Sequence, residues 1–138
     1  MRSVLMCAAT GAVVVAMTMP MRGQDAKIER GKYLVEEVAR CQECHTPKTE
    51  AGEFDKAQWM KGATLVGVPA TPVKGWHQKS PDITSTSALW ARWQVEGFSK
   101  FLQTAKNPRG GGAGAPMPAY MMKADDADAV TAYLKSLP

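Results

Sequence analysis

Long apolar runs, surplus charge, metal-ligand sets and strand-type alternation are all scarce in this sequence, and each scarcity removes a class of protein. The longest apolar stretch, Val4 to Met19, is about 16 residues, short of the ~20 that span a bilayer as a helix. Lys and Arg number 17 against 13 Asp and Glu, a surplus too small and too scattered for a nucleic-acid footprint. No internal repeat and no strand pattern stands out. What remains is ordinary globular composition, 45% hydrophobic and 22% charged over 138 residues. That excludes a disordered tail, a collagen-like chain and a multi-pass membrane protein, and it fits one domain with one core.

Residues 1–23 have the layout of a secretory signal: Arg2 as the positive start, the apolar stretch, then Pro20 and a polar exit. Cleavage near Gln24 is expected, which leaves residues 24–138 as an exported, periplasmic domain with no membrane span of its own. Arg2 and Arg22 leave with the leader, so the mature chain has 15 basic and 13 acidic residues, a net of +2. Cys7 leaves as well. The mature chain keeps Cys41 and Cys44, and of the methionines Met60, Met117, Met121 and Met122. Two cysteines in an exported domain would by default form a disulfide, but their spacing says otherwise.

Cys41-Gln42-Glu43-Cys44-His45 is C-x-x-C-H, the haem attachment sequence. Two intervening residues let both sulfurs reach the two vinyl groups on one edge of a porphyrin and form thioethers. His45, next in line, is then carried under the iron as the proximal ligand. Export agrees, because c-type haem is attached after it. Three duller readings fit less well. A thioredoxin-like redox pair needs no histidine and wants alternating strands and helices. A structural zinc site needs four ligands, and the mature chain offers only Cys41, Cys44, His45 and His77 among its cysteines and histidines, two of them adjacent. A plain disulfide leaves His45 unexplained. One covalent haem is therefore expected.

An apolar side made by Ile28, Tyr33, Leu34, Val35 and Val38 predicts a helix over Asp25–Arg40, capped by Asp25, that delivers the chain into the motif. Residues 46–85 hold Pro47, Gly52, Gly62, Gly67, Pro69, Pro72, Gly75 and Pro81, too many breakers for long regular structure. Loops and short helical turns around the haem are expected there. A second helix is predicted over Trp93–Ala105, and a third over Ala124–Leu137, where Asp125, Asp126 and Asp128 favour the positive N-terminal end. The fold class is all-α, with the cofactor standing in for much of the core.

In this arrangement the chain resembles the class I cytochromes c, and more closely the single-haem c domains in cytochrome subunits of periplasmic alcohol and sugar dehydrogenases. The matching pieces are Gly31-Lys32-Tyr33-Leu34-Val35, Cys44-His45-Thr46-Pro47, Pro81-Asp82-Ile83-Thr84, Pro116-Met117-Pro118 and Ala132-Tyr133-Leu134-Lys135-Ser136-Leu137-Pro138. The resemblance implies that first and last helices cross with Gly31 against Tyr133. It also implies redox protein partners, a dehydrogenase as donor and a respiratory acceptor. Two departures stand out: one attachment motif where such subunits usually carry several, and Lys123 where the family's last helix commonly begins at Ser or Thr.

For the sixth iron ligand Met117 leads, because Pro116 and Pro118 hold it in an extended loop and the resemblance points to it too. Met121, Met122 and His77 are the rivals, while Met60 reads as a loop or core residue. Trp76 and Trp93 are the expected haem or propionate contacts, with Trp59 and Trp90 as plain aromatics. Arg109 and Lys74 read as surface charge by default. Gly110, Gly111, Gly112 and Gly114 lack the lysine, hydroxyl and following helix of a phosphate loop and are expected to let the chain swing toward Met117. Methionine opposite histidine stabilises Fe(II), raises the potential and closes the iron to peroxide and oxygen. The expected function is a one-electron carrier without catalytic residues, either a free monomer or a subunit of a complex. The alternative is a haem enzyme or sensor with a labile sixth ligand.

Overall fold

The computed structural model describes residues 21–138; most of the leader assigned from the sequence lies outside the described residues. Helix α1 runs Met21–Tyr33 and continues as one π-helical turn, Leu34–Val38. Asp25, expected to cap it, therefore lies inside the helix. The widened turn ends in Arg40, which takes a positive φ of 51°. The Cys41 amide reaches back to the Val35 carbonyl at 2.9 Å, so the chain turns sharply into the next element. That element, α2 (Gln42–His45), is a single turn holding most of the C-x-x-C-H segment.

Helix α3 spans Leu89–Thr104, one turn longer at its start than its apolar spacing predicts. Ser87 supplies the early start, its Oγ accepting from the Leu89 amide at 3.1 Å. Gln94, at φ 57° and ψ 170°, breaks the helix one residue inside the predicted segment. Ala105 ends it in the left-handed region, its amide bonded to the Phe101 carbonyl. Helix α4 spans Ala124–Ser136, within one residue of expectation. Lys123 precedes it and makes no side-chain cap, leaving Asp125 and Asp126 in the first turn to face the helix's positive end.

Helices α1 and α4 cross at Gly31, with Val35, Ala127, Val130 and Leu134 buried around the crossing. Phe98, Phe101 and Leu102 of α3 extend the same core. Arg30 and Asp126 bridge the rim of the crossing at 2.9 Å, but Arg30 is exposed and Asp126 only half-buried, so the pair adds little beside the apolar contact.

Residues 46–88 contain one short 3₁₀ turn, Lys56–Gln58, and are otherwise loop, as the proline and glycine content predicts. Their order comes from specific backbone bonds. The Met60 amide donates to Thr46 Oγ1 at 3.0 Å, the Ile83 amide to the Met60 carbonyl at 3.0 Å, and the Gly62 amide to the His45 carbonyl at 2.8 Å. Gly62 must be glycine on two counts: its φ is +87°, and a Cβ there would lie 2.7 Å from the Ser80 carbonyl oxygen. Three isolated antiparallel bridges complete the loops, and the described residues contain no strand. The fold is the all-α arrangement expected from the sequence.

Candidate haem site

A cavity of about 560 Å³ opens between α2, the 61–83 loop, α3 and the 112–122 loop, within the usual size of a cofactor pocket. Its wall is mostly apolar: Ile83, Leu89, Trp93, Phe98, Phe101, Leu102, Val130 and Leu134 all reach it. Trp93 stands edge-on to Phe101 with ring centroids 5.0 Å apart, which fixes both rings against the core.

Cys41, Cys44 and His45 form one side of this cavity. The two cysteines are unpaired and partly exposed. Burial pushes the Cys41 thiol up to about 11, so it stays protonated and resists oxidation. Ser80 Oγ donates to the Cys44 carbonyl, tying the motif to the loop that faces it. His45 is 6% exposed. Its Nδ1 donates to the Pro81 carbonyl at 2.8 Å, which sets the tautomer and leaves the Nε2 lone pair without a partner among the described residues. Burial also pulls its pKa down, against the opposing pull of the Pro81 carbonyl and Asp82, so the ring is kept neutral, the form that binds a metal.

Across the chain, the 112–122 loop brings Pro116, Met117 and Tyr120 to the same cavity. The glycines that precede Met117 shape the approach. Gly110 takes φ +82° in a turn where Asn107 Oδ1 accepts from the Arg109 amide at 2.9 Å and the Gly111 amide at 3.2 Å. Gly114 lies so close to His77 that a Cβ would stand 2.3 Å from the ring, and the Met117 amide donates back to its carbonyl at 3.0 Å. The Tyr120 hydroxyl then donates to the Ala39 carbonyl at 3.2 Å, pinning this loop to the end of the first helix.

Other residues singled out from the sequence divide clearly. Met122 and His77 also line the cavity, whereas Met121 is 74% exposed and off its wall. Met60 is fully buried and off it as well. Trp93 lies on the wall, but Trp76 does not. The Trp76 amide closes a turn on the Val73 carbonyl, with Gly75 at φ +77°, and its indole N–H is buried without a partner among the described residues. Lys74 and Arg109 are exposed and off the wall. Sequence reasoning missed Tyr120, whose only signal was its place three residues after Met117. It also missed the Pro81 carbonyl, which nothing in the sequence marks as a histidine partner.

The donor set fits a covalently held haem: two free thiols on one turn, a neutral imidazole with one nitrogen uncommitted, a thioether in a facing loop, and an apolar enclosure between them. Comparison with known proteins agrees. The family profile described as Cytochrome c matches residues 28–138. The chain is 31% identical over 115 residues to a "Diheme cytochrome c-type" protein of Cereibacter sphaeroides, covering 80% of this chain and 35% of that one. It is 31% identical over 119 residues to the cytochrome c subunit of a quinone alcohol dehydrogenase of Gluconobacter oxydans, covering 83% and 24%. It is 30% identical over 115 residues to the fructose dehydrogenase cytochrome subunit of Gluconobacter japonicus, covering 79% and 22%. The chain thus spans about a third or less of the length of these relatives. With its C-x-x-C-H segment set into the wall of an apolar cavity, this chain belongs to the cytochrome c family, whose cofactor is covalent haem c and whose work is electron transfer.

Proposed function

We propose that the protein is a periplasmic monohaem electron carrier that takes single electrons from a dehydrogenase and passes them to a respiratory acceptor. Cys41 and Cys44 hold the haem by thioethers, His45 Nε2 is the proximal ligand and Met117 Sδ the distal one. The observation that carries this reading is the sorting of the methionines. Met117 meets the cavity from a loop that Tyr120 ties to the motif's own approach, while Met121 is turned to solvent and Met60 is buried elsewhere, which leaves Met122 as the one other methionine on the wall among the described residues.

Iron held between histidine and methionine supplies a one-electron couple of raised potential. The chain's own residues supply the rest. Pro81 holds the His45 ring in one tautomer and Tyr120 holds the Met117 loop. The apolar wall excludes water, so the environment changes little as one electron enters and leaves. No side chain need move a proton.

Optical spectra of the oxidised holoprotein beside Met117→Ala test the ligand set. The wild type is expected to show the long-wavelength sulfur-to-iron charge-transfer band and the variant to lose it. Retention of the band in the variant would transfer the role to Met122. Absence of the band from the wild type would bring His77 or an open position forward, and with it the enzyme or sensor reading; carbon monoxide binding to the reduced native protein would support that.

A second reading, a haem subunit held permanently in a complex, draws on the relatives that are cytochrome subunits of dehydrogenases. Among the described residues no helix is long and apolar enough to cross a membrane. Recovery of a stable monomer on native gel filtration favours the carrier; elution only with a dehydrogenase favours the subunit.

A further inference from the structure

Between Asp55 and Asp82 the chain has no carboxylate side chain, yet it has four lysines, Lys56, Lys61, Lys74 and Lys79. None of the four takes part in an ion pair among the described residues. Inside this stretch, residues 62–73 carry no charge at all, and three valines there stand in water: Val66 is 100% exposed, Val68 67% and Val73 44%. The segment is closed at its root. Thr64 and Lys79 form an antiparallel bridge, and the Leu65 amide donates to the Gln78 carbonyl at 2.8 Å. The root belongs to the haem site, since Leu65 and Lys79 are both part of the cavity wall.

An apolar tip contributes nothing to the fold while it is solvated, and clustered exposure of this kind marks an interaction surface. We propose that the 62–79 loop is a docking arm for an acidic redox protein. Its valines enter an apolar cleft on the partner, and Lys61, Lys74 and Lys79 face carboxylates around that cleft. The occupant follows from charge: a run of lysines without one acidic residue repels a basic surface and attracts an acidic one from a distance of about a Debye length, ~8 Å at physiological salt. The place follows from continuity: a partner seated on the arm is brought to the cavity mouth. This proposal rests on the electron-transfer reading above, and it adds the surface and the chemistry of the partner.

The test uses holoprotein on gold electrodes bearing either a carboxylate-terminated monolayer or a mixed carboxylate and methyl-terminated one. Adsorption is read by quartz-crystal microbalance and electron exchange by voltammetry. Wild type is expected to adsorb to both, more tightly to the mixed surface, and to be released by salt. Val66→Ser with Val68→Ser and Val73→Ser should weaken adsorption to the mixed surface about tenfold and leave the pure carboxylate surface unaffected. Lys61→Gln with Lys74→Gln should flatten the salt dependence on both. The visible spectrum and midpoint potential should stay as in the wild type, which shows that the variants are folded around haem.

If both variants adsorb like the wild type, the docking arm is overturned and the carrier reading stands. If the valines instead govern co-sedimentation with phosphatidylglycerol vesicles and not adsorption to the mixed monolayer, the arm binds a lipid surface and the protein-partner proposal is likewise overturned. Failure of the wild type to cycle by one electron, even with soluble mediators, would sink the carrier reading. The microbalance result would still decide the docking arm.

Discussion

Gly31 and Tyr133 meet where α1 crosses α4: a methyl group built on Gly31 would stand 2.7 Å from the Tyr133 Cβ and 2.0 Å from the Ala129 carbonyl oxygen. The second contact is with backbone, which cannot rotate aside, so a side chain here must push the helices apart. Gly31→Val is expected to cost about 1–3 kcal/mol, the usual range for overpacking a filled contact. Guanidinium unfolding of the holoprotein measures it. A midpoint equal to the wild type would mean that the crossing is looser than these distances require.

Tyr133 has a second partner, for its hydroxyl donates to Glu36 on the π-helical turn. Burial, and after it the Glu36 bond, raise the phenol pKa above its ordinary value. A phenol held protonated in the folded state contributes stability that is fully present below about pH 10, where the unfolded phenol titrates, and is lost as the pH rises beyond it. Wild-type stability should therefore fall above about pH 10 more steeply than that of Tyr133→Phe. Denaturation midpoints of the two proteins between neutral and strongly alkaline pH give the comparison; parallel curves would refute it.

Tyr120 holds the Met117 loop to the Ala39 carbonyl at 3.2 Å. Burial pushes its phenol up to about 12. Tyr120→Phe keeps the ring and removes the tie, at a cost of about 1 kcal/mol, the net worth of an ordinary hydrogen bond. The sulfur-to-iron band of the holoprotein should then fade at a lower temperature than in the wild type. Equal fading temperatures would show that the prolines alone position Met117.

Cys41 and Cys44 provide the plainest test of attachment. Holoprotein matured in cells should keep its haem stain on a denaturing gel. Cys41→Ala with Cys44→Ala should lose it, and either single variant should keep one thioether with a shifted pyridine haemochrome band. A stained double variant would rule out thioethers at these positions.

The parts of the fold that could be read from the sequence were those built from contacts close along the chain. The apolar stripe Ala127, Val130, Leu134 placed α4 within a residue of its true end, because a helix repeats its bonds every turn. The start of α3 differs from the prediction because a bond to Ser87 Oγ, not the apolar period, supports it. The π-helical widening at Leu34–Val38 was missed for a similar reason. It follows from how Arg40 and Cys41 must turn into the motif, and it leaves the hydrophobic pattern almost unchanged.

Cys41, Cys44 and His45 carry their meaning in spacing alone. Two thiols separated by two residues, with an imidazole next in line, have one dominant chemical use whatever surrounds them. Which methionines line the cavity, which carbonyl holds the His45 ring and which tryptophan reaches the wall were decided only in three dimensions. Met121, turned to solvent, and Met122, on the cavity wall, are adjacent in the chain, and Trp76 and Trp93 have the same side chain. What separates them is the path of loops whose order comes from scattered hydrogen bonds, such as Tyr120 to Ala39 and His45 to Pro81. Loop closure costs entropy that depends only weakly on length, and partners 36 or 81 residues apart leave no periodic trace. Local chemistry is therefore written along the chain, and the encounter of distant groups is written only in the folded protein.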